Sequence, residues 1–143
     1  EAIGDAGGGV RHGFPVPPLD CDAYRNYLQF IGLEPTGAVR HPFGCAGFDQ
    51  INTLLLAVES AGTVDAYAVR DQLFEIANPE GVRVTNLLDG LEALRAGERI
   101  NYSGASSEVD FQPDGMLRSR DFMLYEIEGG EDRQVQRITS RAG

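Results

Sequence analysis

The chain has 143 residues, 42% apolar and 24% charged, usage that suits one folded domain, or a large piece of one, and excludes wholesale disorder and collagen-like structure. No apolar run approaches the ~18–20 residues that a membrane-spanning helix needs. Asp plus Glu outnumber Lys plus Arg by 22 to 12, a net charge of −10. Such a surface repels phosphate backbones and argues against nucleic acid as a partner.

In chain order, residues 1–18 read as a flexible Gly/Pro-rich lead-in. Its run Gly4-Asp5-Ala6-Gly7-Gly8-Gly9 is no phosphate loop, because no Lys-Ser/Thr pair follows the glycines. Phe14-Pro15-Val16-Pro17-Pro18 reads as extended connection. A first helix is predicted from Leu19 to Ile31. Asp20 and Asp22 suit its positive end, Tyr24, Tyr27, Leu28 and Ile31 recur at helical spacing, and Gly32 fits the C-cap. Glu34-Pro35-Thr36-Gly37 then turns the chain. The strongest periodicity predicts a second helix over Cys45 to Ala61. Its apolar face holds Phe48, Ile51, Leu54, Leu55 and Val58, widened by Leu56 and Ala57, and is expected to be buried. Thr63 or Asp65 can cap a third helix, Val64 to Ala77, with Tyr67, Val69, Leu73, Phe74 and Ile76 as core candidates. Val82 to Val84 is β-like, Asn86 to Ala96 reads as a shorter helix ended by Gly97, and the remainder turns β. Ile100–Tyr102 and Val109–Phe111 read as short strands. Gln112-Pro113-Asp114-Gly115 reads as a tight turn, and Phe122–Ile127 and Arg133–Ile138 as strands about Gly129-Gly130.

Long amphipathic helices need a sheet to cover, and these residues encode little of one. The expectation is a fragment of a larger α/β protein: helices plus C-terminal β-hairpins with an incomplete sheet. The chain opens on Glu1 with no basic segment followed by an apolar stretch, so it reads as a mature product or a piece of something longer. Standing alone, it would expose helix faces that drive oligomerisation or partner binding.

Several segments carry a resemblance. Gly47-Phe48-Asp49-Gln50-Ile51-Asn52, running on to Ala61-Gly62, resembles the aromatic-Asp helix of type I periplasmic solute-binding proteins, the branched-chain amino acid receptors of ABC importers. Gly97-Glu98-Arg99-Ile100-Asn101-Tyr102-Ser103-Gly104-Ala105-Ser106 resembles that family's Gly-x-x-Ile-x-Tyr-x-Gly-Ala-Ser stretch. Val109-Asp110-Phe111-Gln112-Pro113-Asp114-Gly115 resembles its Val-Asp-Phe-x-x-x-Gly turn. Ser107-Glu108 stands where the family usually has Gly-Pro. The resemblance implies a partial type I fold, with residues 19–143 as the C-terminal part of a two-lobed receptor. It also implies a small amino-acid-like or carboxylate ligand in an interlobe cleft, an ABC permease as partner, and the missing N-terminal part of the same receptor. The location would be periplasmic or extracellular, with or without a lipid anchor, and no cofactor is implied. A ligand-sensing regulator or receptor domain of the same fold is the alternative.

The residues themselves hold no clear catalytic constellation: His12 and His41 lie in Pro- and Gly-rich loops, and Ser103, Ser106 and Ser107 lack a nucleophile-elbow context. Cys21, His41 and Cys45 match no common zinc spacing. Asp110 to Asp121 partly matches a calcium loop, but a β-turn is the better reading. Cys21 and Cys45 are either two partly buried thiols or one bridge, whose loop would stabilise the fold by about 3 kcal/mol. The candidate ligand site is the start of the second helix, where unpaired N–H groups, two glycines and an aromatic meet at Phe43, Gly44, Cys45 and Phe48. In the receptors it resembles, Phe43 would be an aromatic wall, with Gly44 and Cys45 nearby. The competing reading packs Phe43 and Phe48 in the core, with Asp49 serving the helix dipole.

Overall fold

The structure is a computed structural model and describes residues 8–16, 21–34, 42–78 and 80–141. Its elements run β1 (Arg11–Pro15), α1 (Asp22–Phe30), α2 (Pro42–Ala61), α3 (Ala66–Ala77), β2 (Val82–Val84), α4 (Leu87–Arg95), β3 (Ile100–Tyr102), β4 (Ser119–Glu128) and β5 (Glu131–Arg141). Side chains that accept from orphan backbone donors start the shorter helices. The Cys21 thiol accepts from the Tyr24 N–H at 3.3 Å and caps α1. The Asp65 carboxylate takes the N–H groups of Tyr67 and Ala68 at the head of α3, and the Asn86 side chain takes that of Asp89 at the head of α4. Gly32, at φ +72°, ends α1, and the Leu33 N–H reaches back to the Leu28 carbonyl. The turn read at Glu34–Gly37 lies outside the described residues beyond Glu34, as do Leu19 and Asp20.

β2, α4 and β3 form a parallel β–α–β unit whose two strands pair Val82 with Ile100 and Val84 with Tyr102. α2, α3 and α4 cover it. The core between them holds Leu56 and Ala57 of α2, Val69 and Ile76 of α3, and Val84, Ile100 and Tyr102 of the strands. A smaller cluster docks α1 on the first turns of α2 through Tyr24, Tyr27, Leu28, Cys45 and Ala105. Two strands are few for a parallel sheet, which is normally built from several strands buried on both faces.

The second sheet is antiparallel, in the order β1-β4-β5. Gly129 and Gly130, both at positive φ, close the β4–β5 hairpin with a two-residue turn. β1 lies within the segment read as a flexible lead-in. Arg11 to Pro15 instead pair with Glu126 to Phe122, Val16 donates to the Asp121 carbonyl, and its side chain is buried. The partner strand is more than a hundred residues away in sequence, so local composition carried no trace of this pairing. A second difference lies at Val109–Phe111, read as a strand. Val109 sits at φ +47° and cannot continue one; only an isolated bridge joins Phe111 to Leu117.

The largest difference is the facing of α2. Part of the side expected to be buried is turned out: Ile51 is 62% exposed, and Leu54 and Leu55 are exposed too. Leu56 and Ala57 are buried as expected, and Cys45, Asp49, Asn52 and Thr53 join them on the inner face. The polar members of that inner face are all hydrogen-bonded, which removes the penalty that would otherwise drive them out. In α3, Val69 and Ile76 are buried as expected, whereas Tyr67 is exposed.

Candidate functional site

Asp49 lies two turns into α2 and is 3% exposed. Its carboxylate accepts four hydrogen bonds. Tyr102 Oη and the Ala105 N–H donate to Oδ1 at 2.9 and 2.7 Å, and the Ser106 N–H and Oγ donate to Oδ2 at 2.6 and 2.5 Å. Asn52 Nδ2 donates to Tyr102 Oη at 3.0 Å, and Thr53 Oγ1 donates to the Asp49 carbonyl at 2.6 Å. One side chain of α2 therefore holds the loop that leaves β3. Burial pushes the Asp49 carboxyl above its ordinary value, against the pull of its donors. Burial and the nearby Asp49 charge push the Tyr102 phenol far up, so it stays protonated and donates. Asp49 is thus a loop anchor rather than the helix-dipole partner expected of it.

Gly104 makes this approach feasible. A Cβ there would lie 2.4 Å from Val109 Cγ2 and 2.6 Å from Asp49 Oδ2. The Tyr-x-Gly-Ala-Ser stretch and the aromatic-Asp helix, read as separate motifs, are the two halves of one contact. Beside it, Arg83 donates to Ser103 Oγ at 2.8 Å, and Ser103 Oγ donates to Glu108 at 2.9 Å.

Against this junction lies a cavity of about 650 Å³, within the size range of small-molecule sites. Ala46, Gln50 and Leu54 of α2 form one wall, and Val109, Phe111 and Leu117 another. Arg118, Arg120 and Phe122 line the side towards β4. These three alternate into the start of β4 and so share a face, an i, i+2, i+4 spacing legible in the sequence itself.

The four residues singled out from the sequence do not line this cavity. Phe43 is 68% exposed in the first turn of α2, and its ring meets that of Phe14 edge-on at 6.4 Å. Phe14 in turn packs on His12 and Tyr125, which are stacked on one another. Gly44 is exposed beside Phe43. Cys45 is fully buried, and Phe48 packs on the rings of Tyr27 and Phe30. The two readings of this segment thus divide: Phe43 and Gly44 face outward, while Cys45 and Phe48 pack inward.

Cys21 and Cys45 share the α1–α2 cluster and are thiols rather than a disulfide in this structure. Burial, with the Asp49 charge second, pushes the Cys45 thiol from 9.0 up to about 11. The folded chain therefore keeps a proton that the unfolded chain loses. This stabilisation is complete below pH ~9 and is lost as pH rises towards ~11. Between about pH 8 and pH 10, urea melts of the wild type should lose roughly 1 kcal/mol more than those of Cys45→Ala. Parallel pH profiles would refute this assignment.

The segment weighed as a calcium loop is a turn. Gly115 and Gln112 donate to the carbonyls of Gln112 and Met116, Asp114 accepts from the Met116 N–H, and Asp121 is held by Arg137 and Thr139. His41 lies outside the described residues. Among those described, no group of three or more His, Cys, Asp or Glu side chains is placed to share a metal. No described helix is long and apolar enough to cross a membrane.

The architecture is α/β, with part of a type I periplasmic-binding-protein fold. The chain is similar in structure to a leucine-binding protein, LivK, of Thermotoga maritima, with a TM-score of 0.61 and 15% sequence identity over 94% of this chain. The match spans 32% of that protein's length. No protein-family model and no curated protein matches the sequence.

Proposed function

We propose that the chain is the C-terminal part of a solute-binding receptor for a small amino-acid-like or carboxylate ligand, serving an ABC importer outside the cytosol and acting by binding rather than catalysis. The ligand would sit at the opening of α2, with exposed Phe43 as its aromatic wall and Gly44 allowing close approach. Cys45 and Phe48 would support that wall from behind. The observation that carries the reading is the likeness of almost the whole chain to about a third of a leucine-binding protein. The two-stranded parallel sheet and the outward apolar residues Phe30, Ile51 and Leu55 fit a remainder of the receptor packed on this part.

A receptor that closes two lobes on its solute divides the contacts between them. Isothermal titration of the 143-residue chain with leucine and related amino acids should therefore show binding no tighter than about millimolar. The same chain extended at its N-terminus by the adjoining coding sequence should bind at about micromolar affinity, and Phe43→Ala in that longer protein should weaken it about tenfold. Micromolar binding by the 143 residues alone, or an unchanged affinity in Phe43→Ala, would count against the reading.

A further inference from the structure

We infer that the cavity between α2 and the segment running from Ser106 into β4 is a second binding site, for an amphiphile with a carboxylate head and a short apolar tail. The inference does not rest on the solute-receptor reading, because Phe43, Gly44, Cys45 and Phe48 do not line the cavity.

Three observations converge. The first is charge. In a chain of net charge −10, Arg11, Arg25, Arg70, Arg95, Arg99, Arg133 and Arg137 are all ion-paired. Arg83 is hydrogen-bonded to Ser103. Among the described residues Arg118 and Arg120 form neither kind of contact, and both line this cavity. A guanidinium left open on an acidic surface is a ready fork for a carboxylate. The negative groups nearby do not pair with it: both Asp49 oxygens are engaged by their four donors, and Glu108 is bonded to Ser103. Asp110 feels Arg118 only at longer range. The second observation is the wall. Leu54, Leu73, Val109, Phe111 and Leu117 line the cavity with apolar surface, enough for an aliphatic or aromatic tail of several carbons. The third is strain. Val109, a β-branched residue in the wall, is held at φ +47°, a conformation that persists only where its surroundings impose it and that clusters at binding sites.

Octanoate is the probe, titrated into the 143-residue chain at low salt and followed by calorimetry and by NMR shift changes. Binding is expected at a dissociation constant of about 0.1–1 mM, with octylamine and 1-octanol at least about tenfold weaker. Arg118 and Arg120 are exposed, so the double variant Arg118→Ala/Arg120→Ala should fold, as an unchanged melt would verify. It should lose about tenfold in octanoate affinity and leave octanol untouched. Leu54→Trp, which fills the cavity, should block both. Equal binding of octanol and octanoate, full octanoate affinity in the double variant, or no octanoate binding up to about 10 mM would overturn the assignment.

Discussion

Asp49→Ala is expected to remove about 4 kcal/mol of folding stability, read from the urea midpoint at constant m-value. The substitution leaves the N–H groups of Ala105 and Ser106 without their acceptor in a site where Asp49 itself is almost fully buried. An unmet buried donor costs about 1–3 kcal/mol, and bonds to a charged acceptor are the stronger kind. Asp49→Asn keeps one acceptor oxygen but turns an amide NH2 towards backbone donors, so it should fall between Ala and wild type. Tyr102→Phe, which removes a single donor and retains the ring in the core, should cost only about 1 kcal/mol. A loss below about 1 kcal/mol in Asp49→Ala would mean that the loop after β3 is not anchored by this carboxylate.

Gly104→Ala should be the next most damaging single change, at about 3 kcal/mol. The reason is space. The added methyl would overlap Val109 Cγ2 and Asp49 Oδ2 together, and both neighbours are buried, so neither can swing aside into solvent. The two sites should couple. With Asp49 already replaced by Ala, one of the two obstructing atoms is gone, and the further cost of Gly104→Ala should drop by about 1 kcal/mol. A strictly additive double-mutant cycle would show that the glycine serves something other than the approach of the loop to α2.

Much of the local structure was legible. Caps, glycine stops and helical periodicity located α1, α3 and α4 to within a few residues, because each signal acts within one or two turns of chain. The motif containing Asp49 and the motif ending at Ser106 were each visible, as was the resemblance that the fold supports. Their joint meaning was not. The bond from Asp49 to Ala105 joins residues 56 apart, and a periodicity count cannot see a hydrogen bond of that span. The count therefore assigned the apolar residues of α2 to the core and left Asp49, Asn52 and Thr53 outside. The native helix is turned so that these polar groups are buried and satisfied. The same limit hid β1, which is a strand only because β4 pairs with it. The sequence singled out Phe43, which is exposed, and gave no sign of the cavity, whose walls come from α2, α3, the loop after β3 and β4.

By itself, then, the amino-acid sequence determined where helices begin and end, which turns close, and that the sheet is incomplete for so much helix, since propensity, capping and side-chain period are local. The tertiary structure alone decided which way α2 faces, that residues 11–15 pair as a strand, and that two guanidiniums border an apolar cavity. Those outcomes depend on hydrogen bonds and packing between segments tens of residues apart, where satisfying a buried carboxylate outweighs exposing three aliphatic side chains.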